Sequence, residues 1–166
     1  ATGSVSVSGG ALSINQPLTG SDISLTAAGN VTQDAAAALT ANNLSLNGTG
    51  NFTLQNTSND VNTIAGGTAG ARLGAVKYFD ADDVTIGTVN PTGIYSSDDV
   101  LIETATGNIN LAEPVNTTSA TNTTTGDTGA IVLNAGKSAG TGSFGGGNII
   151  VSGNGSVLSN GINKLY

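Results

Sequence analysis

One pattern restricts what this chain can become more than any other. An acidic or amide residue leads an apolar–x–apolar step, and the step keeps returning. Asp83-Val84-Thr85-Ile86 returns sixteen residues later as Asp99-Val100-Leu101-Ile102. Further copies start at Val5, Ile23, Leu44, Ile131 and Ile149, and a less regular one lies between Val61 and Ile64. The usual step is 16 to 21 residues, and the step from Val100 to Ile131 is much longer. Period-two apolar residues mark half-buried strands, and a fixed longer period marks a stack of similar units.

A second strand follows each first one after a corner. Gly29-Asn30, Gly50-Asn51, Gly107-Asn108 and Gly155-Ser156 are read as one position in the cycle. Glycine reaches positive φ without steric cost, and asparagine tolerates it better than most residues. A third, shorter run ends the coil at Leu18, Leu39 and Val115. Repeated corners of one kind disfavour the hairpins of a sandwich. Only Asp34 to Leu39 has helical propensity, and that run is too short to stand alone. The pattern predicts an all-β parallel β-helix over residues 1–166, a solenoid of about eight coils of roughly 16–21 residues. In this register Ile102 points inward above Ile86. Segments 65–75, 116–129 and 135–147 break the rhythm and are expected as loop excursions.

Composition narrows function. The chain has no Cys, Met, Trp or His. That removes disulfides, thiolate metal sites and most nucleophile–base pairs. Eleven acids against four bases give a net charge of −7, a poor match for nucleic acid. No run is long enough for a membrane helix, so direct membrane insertion is not expected. The chain does not begin with Met and shows no signal peptide, which reads as a piece of a longer or processed protein.

Asp22-Ile23-Ser24-Leu25-Thr26-Ala27-Ala28-Gly29-Asn30-Val31-Thr32-Gln33, Leu44-Ser45-Leu46-Asn47 and Gly147-Asn148-Ile149-Ile150-Val151-Ser152-Gly153 resemble the repeats of filamentous-haemagglutinin-type exoproteins. Asp60-Val61-Asn62-Thr63-Ile64-Ala65 and Phe79 to Val89 are similar. The resemblance covers nearly the whole chain, and the family's amino-terminal secretion motifs are not evident. It implies a right-handed β-helix, export to the bacterial outer surface by two-partner secretion, and service in adhesion or biofilm. Its partners would be glycans or proteins of a host or neighbouring cell.

Two alternatives stand beside a structural and adhesive module. One is a carbohydrate-binding or polysaccharide-cleaving β-helix, which for cleavage needs paired carboxylates in a groove. The other is a filament subunit stacking end to end, since open β-helix ends expose unpaired strand edges. No catalytic constellation is visible, and the expectation is a protein without enzymatic activity or resident cofactor. Asp82, Asp83, Asp98 and Asp99 form the one acidic cluster, and stacked sixteen residues apart they are the candidate Ca²⁺ ligands. Sequons abound in an Asn/Thr-rich chain, and Asn116 and Asn122 in the polar insertion are the candidate glycosylation sites.

Overall fold

The computed structural model describes residues 3–118, 129–137 and 146–166. Strands Val5–Gly9 (β1), Leu12–Ile14 (β2) and Leu18–Thr19 (β3) make the first coil. Asp22–Ala27 (β4), Val31–Gln33 (β5) and the start of Leu39–Gly48 (β6) make the second. The rest of β6, Phe52–Leu54 (β7) and the start of Asp60–Gly66 (β8) follow. The rest of β8 and Val76–Asp80 (β9) form the fourth coil. Val84–Ile86 (β10), Ile94–Tyr95 (β11) and Val100–Thr104 (β12) form the fifth, and Ile109–Leu111 (β13), Val115–Asn116 (β14) and Ile131–Asn134 (β15) the sixth. Ile149–Val151 (β16), Val157–Leu158 (β17) and Asn163–Leu165 (β18) complete the seventh.

All ladders between these strands are parallel, and they build two main faces. The first face runs β1-β4-β6-β8-β10-β13-β16 and the second β2-β5-β7-β9-β12-β15-β18. The fold is a parallel β-solenoid, as the periodicity predicts, with seven strands on each main face where eight coils were expected.

The count differs because two strands were assigned to the wrong face. Val84 pairs with Ile109 and Val100 pairs with Val76 and Ile131, so the two Asp-led steps lie on different faces. Ile102 does point inward and is fully buried, but Tyr78 and Leu133 flank it, not Ile86. The true step on the first face is 21 residues from Ile23 to Leu44 and 25 from Val84 to Ile109.

Inward columns form the core. Leu54–Tyr78–Ile102–Leu133 occupy one register line on the second face, each with no exposed surface. Burying a Leu or Ile side chain is worth about 1.5–3 kcal/mol, so the columns supply the bulk of the stability. The outward-pointing line beside this column begins with polar Thr32, Thr53 and Lys77 and continues through the apolar Leu101 and Val132.

The third run changes place along the rod. In the first three coils it lies after the second face: β3 pairs with Leu39–Thr40, and Thr40–Ala41 pair with Asp60–Val61. From the fifth coil on it lies after the first face, where β11, β14 and β17 stack. The tight corner moves in the opposite sense. Gly29-Asn30 and Gly50-Asn51 turn from first face to second, whereas Gly107-Asn108 turns from second to first.

The excursion at 65–75 makes this change possible. Ala65 and Gly66 finish β8, and Gly67 turns the chain at φ +64°. A side chain on Gly66 would meet Leu73 Cδ1 at 2.7 Å. Leu73 returns into the core in that space and is fully buried. Segment 65–75 is therefore partly core, not only a surface loop. At the start of segment 116–129, Asn116 completes β14 and Thr117 is buried with its amide donating to the Leu158 carbonyl, while residues 119–128 lie outside the described ones. Of segment 135–147, Ala135 and Gly136 are buried, and 138–145 lie outside the described residues.

Candidate functional site

Along the third run of the first coils, two polar rows flank a floor of small residues. Thr19, Thr40 and Asp60 stack in register on one side. Ser21, Asn42 and Asn62 form the other, with Asn62 Nδ2 donating to Asn42 Oδ1 at 3.3 Å. Buried Gly20 and Ala41 lie between them. The result is an open recess of about 300 Å³ that crosses three coils. Strand alternation explains it: each outward polar residue sits next to an inward one, and the stacking repeats the pair.

Ser21 of the lining is tied to the neighbouring Asp22. Asp22 accepts from Asn43 Nδ2 at 2.7 Å, Ser21 Oγ at 2.8 Å and Ser4 Oγ at 3.2 Å. The hydrogen bond from Asn43, then that from Ser21, holds its carboxyl below the ordinary carboxylate range. Asp60 is the sole carboxylate in the lining. A single acid offers hydrogen bonds but no acid–base pair for glycoside cleavage. Hydroxyls and amides together present both donors and acceptors, the complement of a polyol.

A second polar cluster lies inside, where the third run ends. Asp80 is fully buried. Tyr78 Oη donates to Asp80 Oδ2 at 2.5 Å and the Val61 amide donates to the same oxygen at 3.0 Å. The Asp82 amide donates to Oδ1 at 3.1 Å. Elsewhere in this ladder an upward N–H meets the carbonyl of the next coil, as Gly20 does with Thr40. For Val61 the Asp80 carboxylate takes that role. Burial pushes the Asp80 carboxyl up to about 6, against the hydrogen bonds from Tyr78, Asp82 and Val61 that favour its charge. Burial, then the Asp80 charge, raises the Tyr78 hydroxyl well above its ordinary value.

Asn59, also fully buried, ties three coils together. Its Oδ1 accepts from the Leu39 amide at 2.9 Å, and its Nδ2 donates to the carbonyls of Leu54 at 3.3 Å and Phe79 at 3.1 Å. Above the junction Arg72 performs a similar task. Its guanidinium donates to the carbonyls of Ser96 and Asn116 and lies 5.7 Å from the Tyr95 ring centre.

The acidic cluster expected to hold Ca²⁺ is not assembled as the sixteen-residue step implied. Asp83 stands beside Asn108 and accepts its amide at 2.5 Å, while Asp99 on the other face accepts the amides of Gly129 and Ala130, both at 2.9 Å. Asp98 Oδ1 accepts the Asp99 amide, and Asp82 is exposed beside Asp80. The side chains of Asp83, Asp98 and Asp99 thus accept backbone amides at turns. Among the described residues no three acidic side chains gather as a cation would need.

Asn116 is half-buried, and its Oδ1 accepts from Arg72 and from Thr118. Asn122 lies outside the described residues. The recess residues escaped the sequence reading, although a signal was present: Thr19/Thr40/Asp60 and Ser21/Asn42/Asn62 recur at the same 20–21-residue step as the core. Comparison with family models, curated proteins and solved structures gives no match to this chain.

Proposed function

We propose that the chain is a rigid, polar-surfaced β-solenoid segment of an exported bacterial surface protein, serving attachment. Continuous stacking favours a structural role. Each coil buries its aliphatic columns on its neighbours, and the outward rows of the first three coils are rich in small hydroxyl and amide groups such as Thr32, Thr53, Asn42 and Asn62. The resemblance to filamentous-haemagglutinin-type repeats points the same way.

The recess across the first coils is the observation that carries the adhesive part. Its Thr, Ser and Asn side chains suit the hydroxyls of a cell-surface glycan, and its single carboxylate favours binding over cleavage. The test is attachment of the purified chain to immobilised glycans and to cells. Asn42→Ala/Asp60→Ala/Asn62→Ala is expected to lower attachment at least tenfold, with an unchanged far-ultraviolet spectrum. Equal attachment by parent and variant would sink the recess as the contact site.

A further inference from the structure

Glu103 is out of place on its strand. Ile102 points inward, so Glu103 points outward, in register with Phe79 and Asn134. An outward Glu belongs in solvent, yet this one keeps 5% of its surface exposed. Burying a carboxylate is costly unless polar groups meet it. Two do, on one atom. Glu103 Oε1 accepts from Lys137 Nζ at 2.8 Å and from Asn134 Nδ2 at 3.2 Å. Among the described residues, Lys137 and Glu103 are the one ion pair.

The backbone holds the three side chains together. Strand β15 ends at Asn134, and Gly136 turns the chain at φ +72°. The Gly136 amide donates to Thr104 Oγ1 at 2.9 Å, and the Lys137 amide donates to the Thr104 carbonyl at 2.7 Å. Thr104 is fully buried and follows Glu103 in β12. The turn therefore delivers Lys137 to the carboxylate that Asn134 already meets. Both nitrogens touch one oxygen, and the flexible four-carbon stem of Lys can carry Nζ onto the Asn134 carbonyl carbon. An amine, a carboxamide and a nearly buried carboxylate between them are the parts of an amide exchange.

We propose that Glu103 joins Lys137 to Asn134 through an intramolecular isopeptide bond. The carboxylate takes a proton from the Lys137 ammonium, and the neutral Nζ attacks Asn134 Cγ. Glu103 passes that proton to the departing Nδ2 and takes the one that Nζ sheds as the new amide forms. The Nζ–Cγ bond replaces the Cγ–Nδ2 bond, and ammonia leaves, carrying the last proton away as ammonium. No other reactant is consumed. The ring closes over residues 134–137, so the bond fixes this turn and not the whole rod. It gives a covalent staple to a chain without cysteine. The observation is independent of the glycan-binding reading, since the recess lies in the first coils.

The intact mass of the folded chain after incubation at neutral pH tests it. The parent is expected to lose one ammonia from its 16.1 kDa and to resist trypsin after Lys137. Glu103→Gln and Lys137→Arg, each with an unchanged β spectrum, are expected to keep the full mass. Asn134→Asp is expected to lose one water in place of ammonia. Full mass in the folded parent would overturn the proposal. So would an ammonia loss that persists in Glu103→Gln or Lys137→Arg, which is what a succinimide at an Asn-Gly pair such as Asn47-Gly48 would give.

Discussion

The first three coils and the last three use the same two faces but enclose them differently. Below the junction the chain turns tightly from first face to second and returns by a long arm. Above it the long arm comes first and the tight turn second. The lower arm shapes the polar recess, while the upper arm is braced by Arg72 against Ser96 and Asn116. The two columns of core residues pass through without a break. A solenoid can therefore relocate an entire run of its wall if the ladders left open are answered by side chains. Asp80 and Asn59 give that answer here, at the cost of burying polar groups.

The largest expected effects test whether the halves fold as one unit. Leu46→Ala below the junction and Ile102→Ala above it should each cost about 2–5 kcal/mol in urea titrations. If the rod is one cooperative array, either change shifts a single transition. Separate transitions for the two variants would show that the junction uncouples them. Thr53→Ala, exposed on an outward row, should stay within about 0.5 kcal/mol of the parent.

The junction should also make stability depend on pH. Asp80 holds its proton more tightly in the folded chain than in the unfolded one, because burial raises its carboxyl from 3.8 to about 6. The Tyr78 hydroxyl and the Asp82 carboxyl face it, and the Asp82 charge adds to the rise. The stabilisation is full below pH 4, falls as pH rises from 4 to 6, and amounts to roughly 3 kcal/mol. Asp80→Asn should flatten that slope, and a slope that survives the substitution would place its origin elsewhere.

Asn59→Ala should follow at about 2 kcal/mol, since it strands the Leu39 amide and two carbonyls in the interior. Hydrogen exchange at Leu39 should accelerate before exchange at Ile102. The last effect belongs to the upper half alone. Lys137 Nζ reaches Glu103 Oε1 at 2.8 Å with half of the Lys137 side chain exposed and Glu103 nearly buried, so Lys137→Met leaves that carboxylate to Asn134 and should cost about 1–2 kcal/mol in urea titrations.

Much of the fold was legible because strand periodicity is local. Ile23/Leu25 and Leu44/Leu46 announce buried columns through alternation alone, and the structure pairs them in the expected register. The recess was legible in principle, since Thr40 and Asp60 keep the core's step. The acidic cluster misled for a specific reason. Asp83 and Asp99 each precede an apolar–x–apolar strand, and an Asp before a strand looks the same on either face. Only their ladder partners, Asn108 and Ala130, tell them apart.

What the sequence determined by itself was the strand class, the parallel stack and the inward phase of each strand. These follow from side-chain alternation and repeated glycine corners, which act over a few residues. Tertiary structure decided the face to which each strand belongs and where the third run changes place. Those outcomes depend on which open N–H groups find an acceptor one coil away. That acceptor can be a carbonyl or the carboxylate of Asp80, and no short window of sequence contains both partners.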